Sequence, residues 1–372
     1  MNDKIEKLKE ERDSIIHGFS SKKPEDTMID KLAKTNDLQY VTIKEIITET
    51  KDTKSFILVP DIKKGTSKLK MFIPGQYISL KMFADETYTT RAYTLSSSPK
   101  EALQGFYRIT IKRVQNGLIS NLLLDHLKVG DGLTISNPVG DFHYSSIRDE
   151  ENVIGVAGGS GITPFISLAK DIIDGNTNCH LTVFYSVRTE EDIILRKEIE
   201  KLKRSKKVNF QVILTREEKP GYLYGHIKKE MIEPYIKEFN TFFMCGPVGL
   251  YKSMNEILTY FEIPRKNVHF ENYYNFYEPK EERNFELKII TEDTTKIIPC
   301  NSNKTLLVAM EEAGFKAPSL CRVGTCGFCK SILLEGHVKM IGSSMPRDLA
   351  LNDYIHPCIS YPDSDVTIRV SL

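Results

Sequence analysis

The sequence predicts a multidomain protein in which a small antiparallel β-barrel, a parallel-sheet α/β domain and a cysteine-bearing C-terminal domain follow one another. Short β-branched and aromatic runs separated by turns come first, after a polar extension. Apolar strands then alternate with amphipathic helical stretches. Near the C-terminus a candidate hairpin and a short helix precede three closely spaced cysteines. A chain of 372 residues is long enough for two or three such domains.

Residues 1–37 form a polar N-terminal extension, in which Ile5, Leu8, Ile15 and Ile16 recur at loosely helical spacing. We expect one or two short amphipathic helices here that pack on the body of the protein. The segment lacks the apolar region of a signal peptide. No apolar run in the chain approaches the roughly 20 residues of a membrane-spanning helix. The sequence therefore predicts a cytoplasmic protein without a membrane span.

The composition is that of an ordinary globular protein. Hydrophobic residues make up 40% of the chain and charged residues 27%, and the net charge is +1. A net charge near zero argues against a nucleic-acid-binding protein built on a broad basic surface. The chain has seven cysteines. In a reducing compartment, clustered cysteines are metal ligands or catalytic groups more often than disulfide partners.

Residues 38–150 are rich in short strand-forming runs. The segments "PDIKKG", "IPGQ" and "KVGDG" separate them as turns. Several short strands at this spacing predict a small antiparallel barrel. The expected strands are "YVTIKEIITET", "KSFILV", "QYISLKM", "RAYTLSS" and "FYRITIKRV".

Two motifs of the barrel suit a ligand with a phosphate and a flat ring. In "RAYTLSS", Arg91 and Tyr93 share one face of the strand because strand side chains alternate. A guanidinium binds phosphate, and an aromatic side chain stacks on a planar ring system, although a strand tyrosine more often only packs. In "NGLISNLL", Gly117 and Ser120 precede an apolar helix whose N-terminus offers amide donors to a second phosphate.

Residues 151–275 alternate between buried strands and helices, which predicts a parallel sheet covered by helices. The expected strands are "NVIGVAGG", "HLTVFYSV", "NFQVILT" and "TFFMCG", and the expected helices include "TPFISLAKDIID" and "EDIILRKEIEKL".

Two turns of this domain are expected at one edge of the sheet. "GGSGITP" follows the first strand and opens a helix, so that glycines and free helix amides can approach a pyrophosphate. "MCGPVGL" follows the last apolar strand, and ligands bind outside the carboxyl ends of such strands. Cys245 in this turn is either a small buried hydrophobic residue or a functional group. Arg188 follows the second strand, where a dinucleotide fold contacts the adenosine ribose.

The C-terminal domain is predicted at residues 285–372, after a linker at residues 276–284. It begins with a candidate hairpin, "FELKII" and "TKIIPC", joined by "TEDT". The helix "NKTLLVAMEEAG" follows and ends at Gly314.

Cys321, Cys326 and Cys329 have C-x4-C-x2-C spacing, and Cys358 follows far downstream. This is the plant-type [2Fe–2S] spacing. Structural zinc usually takes two paired knuckles, which a lone distant cysteine fits badly. A Rieske centre needs two histidines on one iron, so His356 is interpreted as a surface residue or as a residue beside the cluster. The sequence therefore predicts a [2Fe–2S] cluster on these cysteines.

Taken in chain order, these motifs resemble the ferredoxin–NADP reductase superfamily. They are most similar to its fused members, in which a plant-type ferredoxin domain follows the reductase. The resemblance covers roughly residues 38–372, and residues 1–37 match nothing in the family core. It implies a flavin-binding barrel at 38–150, a nicotinamide-nucleotide domain at 151–275 and a β-grasp ferredoxin domain at 285–372.

The resemblance also implies site residues. Arg91 would bind flavin phosphate, Tyr93 would pack on the isoalloxazine, and Thr94 would hydrogen bond near its N5 atom. Cys245 would lie near the nicotinamide C4 atom, which makes Thr94 and Cys245 the implied catalytic residues. The full implied cofactor-binding set is Arg91, Ala92, Tyr93, Thr94, Gly117, Leu118, Ile119, Ser120, Gly161, Ile162, Thr163, Pro164, Arg188, Cys245, Gly246 and Pro247.

The implied function is an NAD(P)H-dependent reductase that passes electrons through a flavin and a [2Fe–2S] cluster, one at a time, to a separate redox acceptor protein. That acceptor would be an oxygenase component or a hybrid-cluster-type reductase. The alternative is a non-catalytic electron-transfer subunit of a stable complex, or a redox sensor. FAD is favoured over FMN because "NGLISN" offers amides beyond the first phosphate. NADH is favoured over NADPH because the acidic "TEED" after Arg188 would repel a 2′-phosphate.

Overall fold

The computed structural model describes residues 38–84, 87–115, 117–271, 277, 279–315, 317–341 and 353–370. The helices expected at residues 1–37 lie outside this part of the chain. The described residues form three large sheets, one in each expected domain, and a small two-stranded sheet.

The first sheet is antiparallel throughout, with strand order β4-β3-β6-β1-β2-β5. A bridge between Leu95 and Ile109 links the two ends of this order and closes the barrel, as predicted. The sixth strand, β6, was not predicted, because "GLTIS" is short and directly follows the glycine-rich turn. The strands are β1 (Leu38–Thr50), β2 (Thr53–Pro60), β3 (Tyr77–Ala84), β4 (Thr87–Thr94), β5 (Tyr107–Lys112) and β6 (Gly132–Ser136).

Two short helices belong to the barrel domain. Helix α1 (Pro99–Leu103) begins at a capping box between Ser98 and Glu101, with proline at its first position. Helix α2 (Leu118–His126) begins after Gly117, as expected from "NGLISN".

The second sheet is parallel, with strand order β10-β9-β8-β7-β11-β12. The order reverses between β7 and β11, which places the switch point at their carboxyl ends. The short edge strands β10 and β12 were not predicted. The strands are β7 (Asn152–Gly158), β8 (His180–Val187), β9 (Val208–Leu214), β10 (Leu223–Tyr224), β11 (Thr241–Cys245) and β12 (Val268–Glu271).

The helices of this domain are α3 (Thr163–Asp174), α4 (Arg196–Leu202), α5 (Lys229–Ile232) and α6 (Val248–Tyr260). Helix α3 has the predicted bounds, but the helix expected over "EDIILRKEIEKL" begins only at Arg196. Leu195 has a left-handed φ of 56°, which breaks the helix that the apolar spacing predicted.

The C-terminal sheet has strand order β14-β13-β19-β15-β17, with β13 and β19 parallel at its centre. Helix α7 (Leu306–Glu312) packs Leu306, Ala309 and Met310 onto this sheet, which gives the predicted β-grasp arrangement. The expected hairpin is β13–β14. The strands are β13 (Asn284–Ile290), β14 (Thr295–Asn301), β15 (Ser331–Glu335), β16 (Val338–Met340), β17 (Tyr354–Ile355), β18 (Ser360–Pro362) and β19 (Val366–Val370).

One partly buried ion pair and one buried hydrogen bond fix the barrel against the parallel-sheet domain. Arg108 of β5 pairs with Glu198 of α4 at 2.9 Å. Ser167 of α3 donates its hydroxyl to the carbonyl of Ser97 at 2.6 Å. These contacts hold the two domains around a shared cavity. Within the described part of the chain, no helix combines the length and apolarity that a membrane crossing needs.

Candidate functional site

A cavity of about 380 Å³ opens between the barrel and the carboxyl ends of β7 and β11. This size is within the range of small-molecule and cofactor sites. Most of the predicted cofactor residues lie in its wall, from both domains. The lining residues are Arg91, Ala92, Tyr93, Thr94, Thr110, Lys112, Val114, Gly117, Ile119, Ser120, Ser160, Gly161, Thr163, Cys245, Gly246 and Glu271.

Arg91 provides a buried cation in the cavity wall. Its guanidinium donates to the Thr89 hydroxyl at 2.8 Å and to the Thr90 carbonyl at 2.7 Å. Burial, together with the nearby Arg322, lowers the pKa of Arg91 to about 10. The group therefore remains charged at neutral pH and suits a phosphate.

Tyr93 and Thr94 follow Arg91 along β4. Burial raises the pKa of Tyr93, so its phenol stays neutral. The Thr94 side chain is also buried. The pair offers an apolar ring and a hydroxyl to one ligand, as the sequence motif predicted.

Gly117 begins α2 at a point where only glycine fits. A β-carbon at this position would lie 2.8 Å from Cβ of Val114 and 2.9 Å from Oγ of Ser120. The Gly117 amide donates to the Val114 carbonyl at 2.9 Å, which makes a tight turn into the helix. The turn brings the first amides of α2 to the cavity, where a phosphate would meet a helix N-terminus.

The two predicted turns of the parallel sheet meet backbone to backbone. Cys245 of β11 is paired with Ala157 of β7, so the turns after these strands are adjacent. A β-carbon on Gly161 would lie 2.0 Å from the carbonyl oxygen of Cys245. The sulfur of Cys245 is buried, and burial raises its pKa well above the ordinary value. At neutral pH, Cys245 therefore lines the cavity as a protonated, uncharged thiol.

Glu271 is a site residue that the sequence analysis missed. It ends β12 directly beside Cys245 and lines the same cavity. Tyr251 connects these strand ends, because its hydroxyl accepts from the Gly246 amide at 3.0 Å and donates to the Glu271 carbonyl at 2.5 Å. No strand was predicted between "TFFMCG" and the linker at residues 276–284, so Glu271 had no predicted place in the sheet. A polar residue at the end of the apolar "VHF" run was the available signal.

The remaining predicted residues lie outside the cavity wall. Ile162 is fully buried in the core, and Pro164 packs in the first turn of α3. Pro247 precedes α6, and its ring lies 2.6 Å from where a β-carbon on Gly158 would stand. Arg188 is exposed at the end of β8, and the side chain of Leu118 lies outside the described part of the chain.

The predicted cluster cysteines come together in the C-terminal domain. The sulfur atoms of Cys329 and Cys358 are 3.3 Å apart. The sulfur of Cys321 interacts with those of Cys326 and Cys358. Cys326 is partly exposed, whereas the other three are buried. Spacing in the sequence therefore identified four thiols that the fold collects at one point.

The segment Cys321–Cys329, which we call the cluster loop, directs its backbone amides at sulfur. The amides of Val323 and Cys326 both donate to the sulfur of Cys321 at 3.4 Å. Gly324 has a φ of 78°, and a β-carbon there would lie 2.5 Å from Ile359. Amide donors of this kind tune the potential of a bound cluster.

His356 is buried, not on the surface. It contacts the backbone of Gly324, and burial lowers its pKa. Of the two positions left open by the sequence, the structure supports the one beside the cluster loop.

The residues present fit the implied cofactors. Arg91 and the glycine-lined starts of α2 and α3 offer a cation and backbone donors to phosphates, where a β-carbon would block the approach. The four neighbouring cysteine sulfurs, together with the backbone amides that donate to the sulfur of Cys321, fit an iron–sulfur cluster.

Three protein families match consecutive parts of the chain. Residues 40–144 match the oxidoreductase FAD-binding domain, and residues 156–256 match the oxidoreductase NAD-binding domain. Residues 289–363 match the 2Fe-2S iron-sulfur cluster binding domain. The matches follow the three observed sheets in order.

Similar proteins span nearly the whole chain. The glycine betaine monooxygenase reductase subunit of Pseudomonas aeruginosa is 30% identical over 360 residues, covering 90% of this chain and 95% of its own length. The subunit of that name from Chromohalobacter salexigens is 29% identical over 361 residues, with 90% and 96% covered. The solved structure of phthalate dioxygenase reductase has a TM-score of 0.67 at 23% identity, covering 91% of this chain and 99% of that one.

Proposed function

The chain belongs to the ferredoxin–NADP reductase superfamily, in its fused form with a C-terminal [2Fe–2S] domain, and from that premise we propose that it is the reductase component of an oxygenase system. It is an oxidoreductase that takes electrons from NAD(P)H. One observation carries the proposal: a single cavity joins the Arg91–Thr94 segment to Gly161 and Cys245. A flavin on one side and a nicotinamide on the other would meet there.

A flavin held in this cavity would supply the chemistry that links a two-electron hydride donor, the nicotinamide, to a one-electron acceptor, the cluster. Each protein group has a part in holding that arrangement. Arg91 binds the flavin phosphate, Tyr93 and Ala92 contact the ring, and Thr94 offers its hydroxyl near the reacting nitrogen. The backbone at 117–120 binds the second phosphate, which favours FAD over FMN and agrees with the matched FAD-binding family.

On the nicotinamide side, the turn at 161–164 approaches the nucleotide. Cys245 and Gly246 would form the wall near the reacting carbon, and Pro247 packs behind that wall against Gly158. Glu271 adds a carboxylate beside Cys245.

We assign the cluster to Cys321, Cys326, Cys329 and Cys358. Their convergence and the amides of the cluster loop support this assignment. Cys326 is the partly exposed member of the four, and the other three are buried.

We propose NADH as the preferred donor. The loop after β8 holds Glu190, whose amide donates to the Glu217 carboxylate at 2.7 Å. Hydrogen bonds from Lys219 and Tyr222 lower the pKa of Glu190 to about 2, so it is an anion at neutral pH. Arg196 and Lys219 pair with Glu190 and offset its charge, so the proposal rests on Glu191 and Asp192, the other acidic residues of "TEED", which would repel a 2′-phosphate. The kcat/KM values for NADH and NADPH test this, and a preference for NADPH would contradict it.

We propose an oxygenase component as the acceptor, because the relatives that match nearly the whole chain are named as reductase subunits of a monooxygenase. We place the protein in the cytoplasm, where cysteines without disulfide partners, such as Cys179, Cys245 and Cys300, would stay reduced.

The experiment is reconstitution. The chain, loaded with flavin and cluster, is mixed with NADH and a candidate oxygenase component, and single-turnover reduction of that component is followed optically. Fast reduction supports the proposal. Rapid NADH-dependent reduction of ferricyanide without any electron transfer to an oxygenase component would leave a reductase with a different partner.

A further inference from the structure

We propose that Tyr77 is a positioning residue that holds the cluster loop against β4 (Thr87–Thr94), the strand that would bind flavin and that we call the flavin-binding strand. Tyr77 would thereby fix the path of electrons from the flavin site to the cluster site. The inference rests on the proposed function, because it concerns an internal step of the same reaction. In that step the cluster gains the electron that the flavin loses.

Tyr77 is the first residue of β3, and its register partner on β4 is Thr94. Residues directly opposite each other in an antiparallel pair place their side chains on the same face. Tyr77 is also buried, with 1% of its surface exposed. It therefore lies beside the residue expected to contact the reacting edge of the flavin.

The other end of Tyr77 reaches the cluster loop. Its hydroxyl lies 3.3 Å from the hydroxyl of Thr325, a residue between Cys321 and Cys326. Burial, and secondarily those two cysteines, raise the pKa of Tyr77. The phenol is thus neutral and keeps its proton for hydrogen bonding. One side chain is in reach of both the flavin-binding strand and the cluster loop.

The barrel fixes the ring of Tyr77 from behind. A β-carbon on Gly140 would lie 2.9 Å from the ring, so the ring occupies the space that glycine leaves. The backbone of Tyr77 exchanges two hydrogen bonds of 2.9 Å with Val139. The rate of electron transfer falls steeply as the distance between two centres grows. A rigid support that holds the cluster loop in position therefore helps to set the rate of transfer from flavin to cluster.

The test compares Tyr77→Phe and Thr325→Val, which remove the contact from either side while keeping bulk. Tyr107→Phe is the matched control, since Tyr107 is a fully buried tyrosine of the same barrel whose hydroxyl donates to the Lys70 carbonyl. Stopped-flow absorbance follows flavin reduction and cluster bleaching by NADH separately. Hydrogen exchange at the amides of residues 322–328 reports loop opening without any turnover.

We expect both variants to slow cluster bleaching relative to flavin reduction and to raise exchange in the loop by about twofold to fivefold, the effect of one neutral hydrogen bond. The double variant should resemble either single one, because both delete the same contact. The Tyr107→Phe control should change neither readout.

Unchanged bleaching and unchanged exchange in both variants would overturn the inference, as would equal effects in the control. A wild-type chain that bleaches its own cluster but reduces no oxygenase component would defeat the proposed acceptor and leave this inference standing. A wild-type cluster that NADH does not bleach would defeat both.

Discussion

Gly161 and Cys245 touch through their backbones at the switch point of the parallel sheet, where a β-carbon on Gly161 would lie 2.0 Å from the carbonyl oxygen of Cys245. Gly161 lies in the turn that follows β7, and Cys245 is the last residue of β11, so the added β-carbon would meet main chain and not a flexible side chain. We therefore expect Gly161→Ala to displace the nicotinamide wall and to raise the KM for NADH by about tenfold or more, since small misplacements cost large factors. Steady-state reduction of ferricyanide measures it.

Gly249→Ala is the matched control for Gly161→Ala. A β-carbon on Gly249 meets nothing within 4 Å, and the residue lies in α6. Alanine should leave KM unchanged and stabilise the protein by about 0.5–1 kcal/mol through helix propensity. A wild-type KM in the Gly161→Ala enzyme would show that the nucleotide does not use this turn.

Arg91 is the buried cation of the flavin-binding strand. Arg91→Ala removes a charge-assisted contact of about 1.5–3 kcal/mol, so we expect flavin to bind roughly tenfold to a hundredfold more weakly. The flavin affinity of Arg91→Lys should lie between those of the wild type and Arg91→Ala, because lysine keeps the positive charge but lacks the planar guanidinium. Flavin fluorescence on titration of the apoprotein measures the affinity. Arg113→Ala, which removes an exposed arginine paired with Asp125, should leave it unchanged.

The parts of the site that the sequence predicted are those set by local rules. The carboxyl ends of parallel strands share an edge, so the turns that follow two such strands are predicted to bring Gly161 and Cys245 together, and the pairing of β7 with β11 does so. The cysteine spacing predicted that Cys321 and Cys358 lie together, because a [2Fe–2S] cluster needs four sulfur ligands and this spacing is typical of that ligand set.

The parts that escaped prediction depend on tertiary context. Glu271 ends a four-residue edge strand that is too short for a periodic signal. The partial burial of Arg322 against Glu311, beside Arg91, follows from domain docking, which no local pattern encodes. Leu195 breaks a helix that its apolar spacing favoured, because the chain turns there against the barrel residue Glu49.

Cys329→Ser should abolish the EPR signal of the reduced cluster and leave flavin bound, because Cys329 belongs to the four-thiol set of the C-terminal domain and does not line the cavity proposed for flavin. The control is Cys300→Ala in the same domain, a buried thiol of β14 that belongs to the sheet core. That variant should cost about 1 kcal/mol of stability and keep the signal. Loss of flavin from the Cys329→Ser protein would contradict the separation of the two sites.

Asp149 is a buried carboxylate at the start of the parallel-sheet domain. It accepts from Nε2 of His269 at 2.7 Å and from the Ser145 amide at 2.8 Å, and it pairs with Arg148. Burial alone would raise the pKa of Asp149, but the hydrogen bonds from His269, Arg148 and Ser145 outweigh it and lower the pKa well below its ordinary value.

A depressed pKa in the folded state means that the carboxylate contributes stability above the unfolded-state pKa of about 3.9. The contribution is lost as the pH falls from there toward the folded-state pKa. Asp149→Asn should therefore destabilise the protein by about 3 kcal/mol at neutral pH, by breaking a buried charged network, and should flatten the loss of stability below pH ~4. Urea unfolding at several pH values between about 7 and 3 measures both effects. Asp125→Asn, at an exposed ion pair, should change stability by less than about 1 kcal/mol. Parallel pH curves for the wild type and Asp149→Asn would show that Asp149 does not titrate with folding.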